Sequence, residues 1–320
     1  MVPHGVTVPC LTTLDAGRIR EHRASGQFFW IDLTDPGAAE VDQLGEIFGF
    51  HPLALEDTAY FGQRPKLDDY GDYAFLVFYG AVQQRQDDVD LLREVHLFVS
   101  GQYIVSVHRE PLPALDEERS RLNSELVDSE QVVLYRIVDS LTDTFFPLLA
   151  AIGDEIDTLE EAVINSPTHQ QLQRLSALKR QLVSLRKVVT PQRDVFAHSV
   201  ERLAQLPGFV LDKHNYFRDV EDHLIQASGL IDSYRELLRG ATDLYMSTVN
   251  NEQAGVMKQL AVVGTVFLPL SFITGFFGMN FGWLVNQGIA PAWTFWALGV
   301  GSILATCAGL LVFFRRQGWA

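Results

Sequence analysis

Carboxylates are the reactive groups this chain holds in excess: 40 Asp and Glu against 25 Lys and Arg, a formal net charge of −15. Acids brought together can trade protons or hold hard divalent cations, whose natural ligands are oxygens. Three stand out by position. Glu56 and Asp57 follow His51-Pro52-Leu53, where a proline-led helix start puts both acids in early turns that the helix dipole favours. Asp219 falls on the flank of a long helical segment. The broader acidic run at residues 116–161, with 13 acids and 3 bases, reads as a solvated helix face. Signatures of catalysis are missing: there is no Gly-rich phosphate loop, His-Glu-x-x-His or nucleophile elbow. His108-Arg109-Glu110 is the nearest thing to a catalytic cluster and reads as a strand-end surface group. The two cysteines, Cys10 and Cys307, lie at opposite ends and offer neither a disulfide framework nor zinc-finger spacing. So acidic a chain is no nucleic-acid binder, because phosphate neutralisation needs a basic surface; attraction of cations suits it better.

These groups must be positioned by elements of two kinds. From Gln259 to Phe314 there is no Asp, Glu, Lys or Arg, whereas the preceding 258 residues carry all 40 acids and 23 of the 25 bases. A wholly soluble protein is thereby excluded. Leu260 to Phe277 supplies 18 apolar or small residues and Pro291 to Phe314 another 24, each enough to cross a hydrocarbon core of ~30 Å. The short uncharged connection predicts a tight turn between antiparallel spans, with Trp283, Trp293 and Trp296 as interfacial aromatics. Lys258 precedes the first span and Arg315-Arg316 follow the second, so the positive-inside rule places both termini in the cytoplasm. No basic segment leads into an apolar core at the N-terminus, so no signal peptide is expected.

In the soluble part, Phe28 to Ile31, Tyr73 to Tyr79, Glu94 to Val99 and Tyr103 to Val107 read as strands, and Val41 to Phe48 as a helix, a small α/β domain. From Pro111 to Leu206 the signals are helical. Leu172, Leu175, Leu178, Leu182, Leu185 and Val189 form an apolar stripe, and Thr168 with Gln171 makes a capping box after the break at Ser166-Pro167. A long helical hairpin is expected. Val220, Leu224, Ala227, Ile231, Tyr234, Leu238, Ala241, Tyr245 and Thr248 then alternate steps of four and three, a heptad seam. With no proline between Phe209 and Leu268, the helix can run unbroken from Asn215 into the first span, ~95 Å in all. Such a helix predicts packing against copies of itself.

Several motifs together resemble the CorA family of divalent-cation channels. Gly278-Met279-Asn280 after the first of two C-terminal spans is similar to that family's signature loop. Tyr216-Phe217-Arg218-Asp219-Val220-x-Asp222-His223 resembles its stalk. So do His51-Pro52-Leu53-x-Leu55-Glu56-Asp57 with Gln63-Arg64-Pro65-Lys66, Val256-Met257-Lys258 at the membrane entry, and Phe267-x-Pro269-Leu270-x-Phe272-Ile273. The likeness runs in order from about residue 25 to the end. It implies a funnel-shaped homopentamer in the cell (inner) membrane, α/β and helical in fold. Its parts would be a cytoplasmic α/β domain (1–110), a helical hairpin (111–211), a stalk helix (212–258), a pore-lining first span (259–278), an extracytoplasmic loop (279–290), a second span (291–314) and a cytoplasmic tail (315–320).

The resemblance also implies site roles. Met257, Leu260, Gly264, Leu268, Ser271 and Gly275 share one helical face, which the family would turn to the pore axis. Such a face strips no water from an ion, so it suits hydrated Mg²⁺, with Met257, Leu260 and Leu268 as a hydrophobic gate. Asn280 would ring the outer mouth with amide oxygens; read without the resemblance, Asn280 and Gly278 are a helix C-cap. Asp57 and Asp219, from neighbouring subunits and helped by Glu56, would bind regulatory Mg²⁺ that holds the channel closed. The implied activity is influx of Mg²⁺ and Co²⁺, with no organic cofactor.

The sequence departs from the family at three places. Leu284-Val285-Asn286-Gln287 stands where a Met-Pro-Glu-Leu run is familiar, Ala254-Gly255 replaces an Asn-Glu pair, and the terminal basic cluster is reduced to Arg315-Arg316. The alternative is a ZntB-like zinc transporter of the same superfamily, coupled to protons. Against it, no histidine follows Gln259, Cys307 is off the predicted pore, and no titratable intramembrane group would carry a proton. A membrane-anchored enzyme or receptor is the rival from another class.

Overall fold

The structure, a computed structural model, describes residues 7–82, 91–127, 129–209, 214–279, 282 and 292–317. It divides into two compact units, Met1–Thr242 and Asp243–Ala320.

The first unit is built on a six-stranded sheet in the order β1-β2-β6-β5-β4-β3. Its strands are β1 (Cys10–Leu11), β2 (Phe29–Thr34), β3 (Lys66–Asp69), β4 (Ala74–Ala81), β5 (Leu92–Val99) and β6 (Tyr103–His108). The pairs β1–β2 and β2–β6 are parallel and the rest antiparallel. Period-two alternation gives each strand two buried faces. Phe75 and Val77 of β4 enter one core with Phe29, Ile31, Phe98 and Val105, under the helices α1 (Ala16–Ser25), α2 (Ala38–Phe48) and α3 (Pro52–Ala59). Ala74, Leu76 and Phe78 enter the other, with Trp30, Leu97 and Ile104.

That second core is roofed by α4 (Pro113–Ser124), α5 (Glu130–Asp143), α6 (Phe145–Asn165), α7 (His169–His198) and the start of α8 (His214–Phe277). The predicted first arm of the hairpin is thus three helices. The second arm is α7, opened as expected by the reciprocal Thr168–Gln171 cap. Leu175, Leu178, Leu182, Leu185 and Val189 of the predicted stripe are buried.

The heptad seam has a different cover from the one expected. Val220, Leu224, Ala227, Ile231, Leu238 and Ala241 are buried in the same core as Leu178, Leu182 and Leu185 of α7 and Ile152 and Ile156 of α6. Gly153 permits the close approach, since a Cβ there would lie 2.7 Å from the Tyr234 hydroxyl oxygen. The alternation of four and three encodes a straight helix–helix seam, and in this stretch the chain supplies its own partner helices.

The second unit contains the rest of α8, to Phe277, then α9 (Ala292–Thr294), a π-helical turn at Phe295–Val300 and α10 (Gly301–Arg316). Two stretches are long and apolar enough to cross a membrane: one at the end of Asn215–Phe277, the other Trp296–Arg316. Their apolar windows are 0% and 6% buried within the chain.

Candidate metal centre

Two helices, each with a pair of polar residues at i and i+4, build the densest group of metal-type donors in the first unit. On α5 the pair is Asp139 and Asp143; on α8 it is Asp219 and His223. Four-residue spacing stacks each pair on one face. His223 Nδ1 lies 3.3 Å from Asp139 Oδ1 and 3.7 Å from Asp143 Oδ1, and its Nε2 is 4.0 Å from Asp219 Oδ1. Tyr135, one turn before Asp139, donates its hydroxyl to Asp219 Oδ2 at 3.0 Å and stacks on Tyr216. Phe146 of α6 closes one side of the imidazole edge-on.

The electrostatics leave this group strained. Burial, and next the charge of Asp143, push the Asp139 carboxyl above its ordinary value, although His223 pulls the other way. Burial and then the charge of Asp139 raise the Tyr135 hydroxyl. Asp139 Oδ1 and His223 Nδ1, both buried, face one another at 3.3 Å as an ion pair without an aligned hydrogen bond. Buried polar atoms without aligned hydrogen bonds gain from a further partner. A divalent cation fits that need: Asp139, Asp143 and His223 each offer a donor atom, all within 4.8 Å of one another. Carboxylate oxygens suit Mg²⁺, and the added nitrogen suits Co²⁺ or Zn²⁺.

The three acids singled out from sequence are placed apart. Asp219 joins the cluster just described. Asp57, on α3, is 2.8 Å from the Lys66 ammonium, which is also 2.6 Å from Asp68. Glu56, beside it, is exposed. Within one chain Asp57 and Asp219 make no contact among the described residues. Sequence reading missed Asp139, Asp143, His223 and Lys66 as members of these groups; the signal available was the matched i, i+4 spacing on two helices.

A second acid–histidine group lies under the sheet. Asp32, only 2% exposed, accepts from the Ser106 hydroxyl at 2.6 Å, faces His108 Nε2 at 3.2 Å and pairs with Arg119 of α4 at 2.5 Å. Trp30 Nε1 donates to Ser106, and His108 Nδ1 reaches the Glu110 carbonyl at 2.7 Å. His108 is therefore buried, not the surface group expected of a strand end. Parallel pairing sets Asp32 beside Ser106, one residue pair before Leu33 and Val107, and so turns them toward the helical layer.

The predicted pore face lies in the second unit. Met257, Leu260 and Leu268 are exposed, as are Ser271 and Gly275, and Gly264 is half-buried. Val263, Phe267 and Phe272 on other faces of α8 are exposed as well. Among the described residues, then, this stretch of α8 is largely exposed on several faces. α8 ends at Phe277; the Gly278 N–H donates to the Thr274 carbonyl at 3.0 Å, without a left-handed φ at the glycine, and the Met279 N–H donates to that of Phe276 at 3.3 Å. Asn280 lies outside the described residues.

Comparison with known proteins places these features in context. The sequence model of the family described as CorA-like Mg²⁺ transporter protein matches residues 25–316. The cobalt/magnesium transport protein CorA of Thermotoga maritima is 33% identical over 318 residues, covering 96% of this chain and 88% of that protein. The complete structure of the CorA magnesium transporter from Methanocaldococcus jannaschii superposes with a TM-score of 0.81 at 21% identity, covering 92% of each chain. The cytoplasmic domain of ZntB from Vibrio parahaemolyticus shares the fold at a TM-score of 0.60 and 14% identity, over 69% of this chain and 88% of that one.

Proposed function

Because this chain belongs to the family of CorA-like Mg²⁺ transporter proteins, we propose that it carries divalent cations, Mg²⁺ first and Co²⁺ with it, across the inner membrane. The family is one of transporters rather than enzymes. The observation that carries the reading is the reach of the family match, residues 25–316, which takes in strands β2 to β6, the acid clusters and both apolar helices. The composition agrees: no charged residue occurs between Gln259 and Phe314, so a passing ion meets no fixed charge that would hold it.

The working unit is a homopentamer with cytoplasmic termini, because one pair of helices cannot surround a path and the apolar end of α8 is uncovered in a single chain. Met257, Leu260, Gly264, Leu268, Ser271 and Gly275 line the path, and Asn280 with Gly278 and Met279 forms its outer mouth. Mg²⁺ crosses with its water shell, since dehydration is unfavourable and the face offers methyls and one hydroxyl. On the cytoplasmic side, Mg²⁺ held between Asp57, with Glu56, and a neighbour's Asp219 keeps the pore closed; an empty site loosens it through carboxylate repulsion. Asp139, Asp143 and His223 extend the donors beside Asp219.

A second reading, zinc transport, is favoured by one feature: His223 adds nitrogen to the carboxylates. Liposomes holding the purified protein and a divalent-ion indicator test both. Mg²⁺ influx should be rapid in the wild type and fall at least about tenfold in Asn280→Ala with the assembly intact. Influx of Zn²⁺ alone would favour the second reading, and no flux of any divalent ion would overturn both.

A further inference from the structure

Asp57 is not a free carboxylate waiting for an ion. The Lys66 ammonium stands 2.8 Å from its Oδ2 and 2.6 Å from Asp68 Oδ2, so one cation is shared between two acids nine and two residues away along the chain. The arrangement is set by local structure. Asp57 faces out of the second turn of α3, and Lys66 opens β3, where alternation puts Asp68 on the same side of the strand two residues on. The Lys66 ammonium also stands over the Phe75 ring, its Nζ 5.6 Å from the ring centre. Asp57 and Lys66 are each less than a third exposed, whereas Asp68 is 40% exposed. The three line an open hollow of about 580 Å³ with Leu53, Asp69 and Arg202, roomy enough for an incoming hydrated ion.

We propose that Lys66 is a tethered competitor for the divalent cation at Asp57, seated on that carboxylate when the ion is absent and retiring to Asp68 when the ion arrives. The inference rests on the reading of Asp57 as a regulatory acid and adds what sets its threshold. Two bound cations on one monodentate carboxylate repel, so the ion must displace the ammonium to bind. Asp68 stabilises the displaced state, since the ammonium keeps a partner 2.6 Å away instead of being stranded. Lys66 therefore raises the Mg²⁺ concentration at which the site fills, and Asp68 lowers it. Opposite signs from neighbouring residues distinguish this device from simple structural damage.

The test is a Mg²⁺ titration of protease protection on the full-length purified protein, read as the concentration giving half-protection. Lys66→Met, which keeps the stem and removes the charge, should lower the midpoint about two- to fivefold, the range of a partly exposed ion pair. Asp68→Asn should raise it by a similar factor, and Lys66→Arg should leave it near the wild-type value. Melting without Mg²⁺ confirms that each variant is folded; should Lys66→Met fail there, Lys66→Gln and Asp68→Asn carry the prediction. A Lys66→Met midpoint equal to or above the wild type, while Asp57→Ala abolishes protection, overturns the competitor role and leaves the regulatory reading standing. An unchanged midpoint in Asp57→Ala together with Asp219→Ala overturns both.

Discussion

Two groups of the same residue types meet opposite fates in this protein. Around Asp32, an acid and a histidine are sealed beneath the sheet with Arg119, Ser106, Trp30 and the Glu110 carbonyl, so the carboxylate oxygens and both ring nitrogens have partners. Around His223, three acids and an imidazole are gathered, Tyr135 donates to Asp219, and Asp139 Oδ1 faces His223 Nδ1 at 3.3 Å without an aligned hydrogen bond. The first arrangement is self-neutralised and ties β2, β6 and α4 together. The second is incompletely hydrogen-bonded, and Asp139, Asp143 and His223 bring donor atoms within 4.8 Å of one another. Residue type alone does not separate the two groups; completeness of pairing does.

The strongest way to break that comparison is Asp32→Ala. It strands His108 and Arg119 around a buried hollow and should destabilise the first unit by about 3–5 kcal/mol, measured by denaturant or thermal unfolding, with or without divalent ions. Asp139→Asn should do the reverse. It removes a carboxylate that burial and Asp143 oppose, so ion-free stability should hold or rise slightly. The variant should nonetheless lose most of the stabilisation that Mg²⁺ gives the wild type, up to about 2.7 kcal/mol at a hundredfold excess over Kd. Equal Mg²⁺-induced shifts in the two proteins would remove Asp139 from the ion site.

The smallest effect is in pH dependence, and it sharpens the contrast. Burial alone would lower the His108 pKa, but the hydrogen bond and charge of Asp32 and the Glu110 carbonyl carry it above 6.5. Its pairing therefore stabilises the fold fully below pH 6.5 and is lost as pH climbs through the raised folded value. Asp139 also has a raised pKa, so the folded chain holds its proton more tightly than the unfolded one. Stability from this group falls as pH rises from 3.8 through the folded value. Saturating Mg²⁺ should cancel the Asp139 fall, because the ion favours the carboxylate, and leave the His108 fall intact. Melting curves across pH, compared between the wild type, Asp139→Asn and His108→Gln, separate the two.

The long helix α8 shows how far the residue order could be read. Its seam from Val220 to Ala241 was legible as a helix-packing stripe, and within the chain it shares a core with residues of α6 and α7. Heptad spacing specifies a geometry of contact and is silent about who supplies the other side. Beyond Gln259 the reading of two spans needed no partner, and the structure has two helices long and apolar enough to cross a membrane, the second at Trp296–Arg316. His108 went the other way: a polar residue at a strand end reads as surface until β2 is laid beside it in parallel and Asp32 and Arg119 close over it.

Order along the chain settled what depends on sums over neighbours in sequence. Hydropathy adds up residue by residue, so the membrane segments, the excess of acid and the helical and strand periods were all present before any folding. Tertiary structure alone decided which acids meet. Tyr135 and Asp219 are 84 residues apart and touch because α5 and α8 share a face, while Asp57 is paired by a lysine nine positions on. Electrostatic energy falls with distance in space, not along the chain, so a carboxylate's role stays open until its neighbours have been folded into place.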